Sequence, residues 1–183
     1  LRTDATESGH IARLVSSYAL AYPEKRLTLK KDNRTTLQTY GTGDLSEAIL
    51  AVYGLDVAEQ MLPIERQGDE RQEIQVNGYV SAPQLNRSTR RDIVLFVNRR
   101  WIQDRSLSYA VEQAYHSLLA RDRHPIAVVS ISLSPEQVDV NIHPTKQEVR
   151  FRHQRRVFSA VQRAVRATLM AHHTIPVVTV PGE

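Results

Sequence analysis

The sequence predicts an α+β sandwich: a mixed β-sheet with helices packed on one face. Three observations predict it. Apolar residues spaced three and four apart recur in 7–20, from 104 to 118 and in 154–171, the mark of amphipathic helices. Between them lie strand-length runs that either alternate or are apolar throughout. The order is helix, strand pair, helix, strand pair, strand, helix, strand pair, helix. Strands arrive in neighbouring pairs rather than in strict β-α alternation, which argues against a doubly wound sheet.

The first helix rests on Ile11, Leu14, Val15 and Tyr18 at helical spacing, and Pro23 stops it. KRLTLKKDNRTTLQTY alternates on both sides of Asp32-Asn33, which predicts a hairpin with a tight polar turn. DLSEAILAVYGL predicts a short helix with Asp44 as N-cap and Gly54 near its end. Met61 to Ala82 holds a second strand pair, and PQLNRSTRRD (83–92) is too polar for anything but a solvated loop. IVLFVN (93–98) is nearly all apolar, as a strand covered on both faces must be. Asn98-Arg99-Arg100 turns the chain. Asp104 then caps a helix whose stripe is Leu107, Val111, Ala114 and Leu118. PIAVVSISL (125–133) predicts a buried strand, Ser134–Gln137 a turn, and VDVNIH its returning partner. Val157, Val161, Val165 and Leu169 line one side of the last helix, before a tail of weak strand character.

Composition narrows the classes. An apolar share of 41% in 183 residues supports a proper core. No apolar run is long enough to span a bilayer. Leu1 opens the chain without a leader pattern, so it reads as a piece of a longer protein. With no cysteine, disulfides and thiolate metal sites are excluded. The net charge is +4, built from 20 arginines and only four lysines. That balance permits nucleic-acid binding, and equally suits an arginine-rich composition without function.

Two stretches could carry chemistry. In DVNIHPTK (139–146), strand alternation puts Val138, Val140 and Ile142 on one face and Asp139, Asn141 and His143 on the other. The polar trio resembles a metal set, but amide oxygen is a poor ligand for transition metals and no second histidine stands at useful spacing. Pro144 ends the strand, leaving Thr145 and Lys146 to open a loop. Lys146 is the only lysine after residue 31. No phosphate-binding glycine loop surrounds it, so a phosphate role needs a partner domain. In NRRWIQDRS, Arg99, Arg100 and Arg105 crowd a strand-to-helix connection, where phosphates are commonly gripped. The alternative is a solvated turn whose Arg105 pairs with Asp104 or a neighbour. Arg150, Arg152, Arg155 and Arg156 form a second basic run. No nucleophile elbow or Ser-His-carboxylate pattern is present.

FVNRRWIQDRSLSYAVEQAYHSLL followed by PIAVVSISLSPEQVDVNIHPTKQEVRF resembles the MutL family of DNA mismatch repair proteins, in the second half of their N-terminal region. The resemblance is strongest over about residues 61–170, and its most specific string is D-V-N-x-H-P-x-K-x-E-V-R-F. It implies a sandwich like domain 2 of a small-subunit ribosomal protein, with a left-handed βαβ crossover, an exception to the usual hand. Residues 1–60 would lead into a transducer core at 61–171, with a tail at 172–183. Lys146 would reach the γ-phosphate of ATP bound in an upstream ATPase domain. Arg105, flanked by Arg99 and Arg100, would bind DNA. Asn98, Asp139, Asn141, His143 and Pro144 would shape the lysine loop and its strand.

The resemblance further implies no cofactor in this piece and ATP with Mg2+ in the parent, which would be a weak ATPase although the piece alone is no enzyme. Expected partners are DNA, the upstream ATPase domain, a second copy in a homodimer and other mismatch repair proteins, with no membrane. The expected location is the bacterial cytoplasm, at the nucleoid. Bacterial members commonly carry glycine where this chain has Arg99, which puts the turn geometry there in question. A stand-alone nucleic-acid-binding module and a type II topoisomerase transducer are the alternative readings.

Overall fold

A computed structural model describes residues 4–69, 71, 73–140 and 148–172. The chain opens with α1 (Asp4–Ala21), followed by a hairpin of β1 (Thr28–Lys31) and β2 (Arg34–Gln38). Asp32 and Asn33 turn it with φ of 49° and 61°. Such a left-handed pair matches the twist of the strands, and short polar side chains tolerate it best. Asp44 caps α2 (Leu45–Tyr53), its Oδ1 accepting from the Ser46 N–H at 2.8 Å. Gly54 ends that helix at φ 85° and leads into the single turn α3 (Leu55–Ala58).

The edge strand β3 (Met61–Gly68) and β4 (Ile74–Ser81) come next, then the two-residue β5 (Asn86–Arg87) and a helical turn at Arg90–Asp92. β6 (Ile93–Val97) and β7 (Arg100–Ile102) form a tight hairpin that feeds α4 (Arg105–Ala114). β8 (His124–Pro125) and β9 (Ala127–Leu133) follow, then β10 (Val138–Asp139), β11 (Arg150–Phe151) and α5 (Gln154–His172).

Five strands make the main sheet, in the order β3-β4-β9-β6-β7. It is mixed: β6 and β9 run parallel, and the other neighbours are antiparallel. A parallel pair needs a crossover, and α4 lies on the connection between β6 and β9. Leu95, Val97, Ala127, Val129 and Ile131 share one core with Leu107 and Val111 of α4 and with Val157, Val161 and Val165 of α5. The alternate residues Val94, Phe96, Ile126 and Val128 share a second core with Leu20, Ala48, Ile49 and Val57. The expectation of helices on one face therefore holds for α4 and α5, while the end of α1 with α2 and α3 covers part of the other. Two internal strands with apolar side chains on both faces require that second cover.

Three local expectations change. Val138 and Asp139, the described start of VDVNIH, do not return against 125–133: they form β10, which pairs instead with β11, Val138 opposite Phe151 and Asp139 opposite Arg150. Both edges of β9 are already taken, by β4 and β6. The stretch 83–92 is not wholly a loop, because β5 pairs with β8. The helix from Asp104 ends at Ala114, so Leu118 belongs to the turns that follow, where Ser117 takes φ 69°. Residues 141–147 and 173–183 lie outside the described residues. Among the described residues no helix is long and apolar enough to cross a membrane.

Candidate nucleic-acid interface

One end of the main sheet gathers the residues singled out above. The 98–99 turn sits beside the last residue of β9, and β4 begins there, with Ile74 opposite Leu133. Arg156, near the start of α5, is tied to Asp69 and Glu73 in the β3–β4 connection. The far end of β4 holds Ser81, whose carbonyl accepts from the Tyr115 hydroxyl just past α4 at 2.5 Å. Arg166 of α5 donates to the carbonyls of Ala114 and His116 at 3.0 and 3.2 Å. Both helices therefore run the same way, their N-termini toward the end that holds Asn98 and Asp69.

Asn98 is the pivot of that end. Its backbone N–H donates to the Ile131 carbonyl at 2.9 Å, continuing the β6–β9 ladder. Its side-chain amide then takes the place of the next peptide: Nδ2 donates to the Leu133 carbonyl at 2.9 Å, and Oδ1 accepts from the Leu133 N–H at 3.1 Å. A turn residue at φ 48° thus closes the last rung of a ladder it has left.

Arg99 answers the geometry question directly. It takes φ 69°, a region that costs a residue with a Cβ about 1–2 kcal/mol. Its guanidinium pairs with Glu24 and lies 4.4 Å from the centre of the Tyr22 ring. A backbone hydrogen bond and the Arg99 guanidinium hold the Glu24 carboxyl below its ordinary range. Arg99 thereby fastens the β6–β7 turn to the chain just after α1. Arg100 is exposed at the start of β7, opposite Val97.

Arg105 is the first residue of α4 and is exposed. It does not pair with Asp104, whose Oδ1 accepts from the Leu107 N–H at 2.8 Å as the helix cap. Among the described residues Arg105 has no ion pair. A cation at a helix N-terminus opposes the helix dipole; the first turn of α4 itself holds no acid, and the capping carboxylate of Asp104 supplies the compensating charge. α5 repeats the pattern: its first turn has no acid, Arg155 is exposed, and Arg150 and Arg152 are exposed just before it. Solvent-facing arginines thus gather where both helices begin, alongside the carboxylates of Asp104, Asp69 and Glu73.

Asp139 is exposed on β10. Asn141, His143, Pro144 and Lys146 lie outside the described residues. β10 and β11 bracket that segment, and Val140 and Val149 on its two sides pack on the main core. Among the described residues no group of three or more His, Asp or Glu side chains is placed to hold a metal ion.

Sequence reasoning missed the Asp69 cluster. Asp69 is only 4% exposed; its Oδ1 accepts from the N–H groups of Glu73 and Ile74 at 2.8 and 3.1 Å, and its Oδ2 pairs with Arg156. Burial acts to raise this carboxyl, and the Arg156 guanidinium with the two N–H groups outweighs it, leaving the carboxyl below its ordinary range. It also missed Glu112, which accepts from Arg90 at 2.7 Å and meets His124 at 2.5 Å. No local signal marks either cluster.

Comparison with known proteins agrees with this architecture. The family described as "DNA mismatch repair protein, C-terminal domain" matches residues 49–170. The DNA mismatch repair protein MutL of Desulforudis audaxviator is 41% identical over 177 residues, covering 97% of this chain and 31% of the relative. MutL of Geobacillus sp. (strain WCH70) is 38% identical over 176 residues, covering 96% of this chain and 28% of the relative. The chain thus spans about three tenths of the length of the curated relatives it matches. Among solved structures, the N-terminal domain of a DNA repair protein superposes with a TM-score of 0.74 at 16% identity, over 91% of this chain and 55% of that one. The Aquifex aeolicus MutL ATPase domain complexed with ADP gives 0.54 at 23% identity, over 74% and 46%. At those identities the structures speak for the fold alone. The family match over more than half of the chain decides between the readings left open by its residues: this chain belongs to the MutL family of DNA mismatch repair proteins.

Proposed function

We propose that this chain is the transducer segment of a MutL-type mismatch repair protein, coupling nucleotide state to DNA contact. It would contribute Lys146 to the γ-phosphate of ATP held with Mg2+ by an upstream ATPase domain. Such a lysine acts by neutralising charge on the phosphoryl group, an effect strongest in a closed, dry site. The full-length parent would be a weak ATPase working as a homodimer with other repair proteins, and the segment alone would turn over no ATP. Nucleotide binding would rotate the segment against the ATPase domain as a rigid body and bring two copies together around DNA.

The observation that supports the DNA half is Arg105 at the N-terminus of α4, exposed and unpaired among the described residues, at the same end as Arg100 and the arginines before α5. Arg99 joins that surface more weakly, since Glu24 already holds its guanidinium. Contacts of this kind go to backbone phosphates and carry no sequence information. Titrating duplex binding against salt tests it: Arg105→Glu should lower the affinity and flatten the log-log slope by about one unit. An unchanged slope would reject Arg105 as a phosphate contact. For the nucleotide half, Lys146→Ala in the full-length parent should depress ATP turnover with ATP binding largely retained. Wild-type turnover by that variant would reject the role given to Lys146.

A further inference from the structure

Positive charge is concentrated in the stretch that leads into the β1–β2 hairpin and round its turn. Residues 25–34, KRLTLKKDNR, carry five basic side chains and one acidic one, a net of +4 that equals the charge of all 183 residues. The other 19 basic and 19 acidic residues cancel, being 24 less five and 20 less one. Three of the four lysines are here, Lys25, Lys30 and Lys31.

The base of the hairpin is fixed. Leu37 is buried, and the Thr39 hydroxyl accepts from the Leu27 N–H and donates to the Lys25 carbonyl, both at 3.0 Å. The tip is free: every residue from Lys30 to Thr36 is exposed. At the tip the register places Lys31 directly opposite Arg34. Like charges facing each other across two strands are destabilising. No ion pair relieves this like-charge pair: among the described residues none of Lys25, Arg26, Lys30, Lys31 and Arg34 has an ion-pair partner, and Asp32, in the turn between Lys31 and Arg34, pairs with neither. A local rule broken without internal compensation points to an external partner. A phosphate lying between Lys31 and Arg34 would turn the repulsion into two charge-assisted contacts.

From this we infer that the β1–β2 hairpin is a second DNA contact, gripping backbone phosphates through Lys31 and Arg34 with Lys30 beside them. The inference rests on reading the chain as a DNA-binding segment, and it adds a surface outside the Arg105 end. DNA is favoured over a membrane because residues 30–36, KKDNRTT, hold no apolar side chain to enter an interface. The contact positions the duplex and reads no bases.

The test is duplex binding by the 183-residue chain, followed against salt, for Lys31→Gln/Arg34→Gln and separately for Arg105→Glu. The hairpin variant should bind more weakly, with a log-log slope lower by about two units, while its thermal midpoint holds or rises because the repulsion is gone. Unchanged affinity and slope overturn the hairpin contact. Loss with Arg105→Glu alone leaves the Arg105 surface standing and removes the hairpin; loss with the hairpin variant alone does the reverse. A wild-type chain that binds no duplex at any salt sinks both. Binding to phosphatidylserine vesicles lost in the hairpin variant, with DNA binding intact, would also overturn the proposal.

Discussion

The side-chain amide of Asn98 hydrogen-bonds both the N–H and the carbonyl of Leu133, standing in for a peptide between two parallel strands. Asn98→Ala loses both bonds and also places a Cβ residue without local support at φ 48°. The expected cost is about 2–4 kcal/mol from the unmet ladder groups and the backbone strain, read from urea unfolding. Asn98→Gly should cost less, because only the bonds are lost. Equal stability of wild type and alanine variant would mean that the amide is dispensable.

Acid should weaken the fold through Asp69. Its folded carboxyl titrates below the ordinary value, so the unfolded chain binds more protons in that range. The stabilisation is complete above the unfolded value of about 4 and is lost as pH falls through the lower folded value. Urea midpoints should therefore be level in mild acid and drop below about pH 4. Asp69→Ala should remove part of that drop and cost about 1–3 kcal/mol at neutral pH, because the buried N–H of Ile74 loses its acceptor. A variant with an unaltered pH profile would show that other carboxylates set it.

The second apolar face of the sheet can be weighed with Ile49, 1% exposed in α2 and clustered with Phe96 and Val128. Ile49→Ala should cost about 2–5 kcal/mol in global unfolding. If α1 to α3 were a loose appendage, the substitution would leave the main transition untouched.

Gly78 in β4 takes φ 131°, and a Cβ there would stand 2.0 Å from the Val128 carbonyl oxygen. Backbone strain and the clash together set the cost of Gly78→Ala at about 3 kcal/mol or more. A lowered thermal midpoint or loss of soluble protein is the expected result. A chain unfolding at the wild-type midpoint would contradict the strand spacing described for β4 and β9.

Much of the architecture could be read from short stretches of sequence. Asp44 and Asp104 were recognisable as caps because a cap bonds backbone only two or three residues away. Asp32-Asn33 was recognisable as a turn because both residues tolerate the left-handed region. IVLFVN announced a strand covered on both faces through its own lack of polar residues, although the sequence did not say that α2 and the end of α1 would supply part of the second cover. Arg99 and Arg105 looked alike in NRRWIQDRS. Only the fold separates them, by bringing Glu24 and Tyr22 from 75 and 77 positions away onto the first and leaving the second without an ion pair among the described residues.

The sequence by itself determined the element types, their caps and turns, and the family to which its motif strings belong. Those depend on residues within a few positions of one another and on the pattern they make. The tertiary structure decided which strands pair, so that β10 joins β11 once both edges of β9 are taken, and which charges meet, as Asp69 does with Arg156. It also decided that Lys31 faces Arg34 at the tip of the β1–β2 hairpin. Partners such as Asp69 and Arg156 are remote along the chain, and no local preference encodes them. They are chosen by closing the whole sheet and burying both of its faces at once.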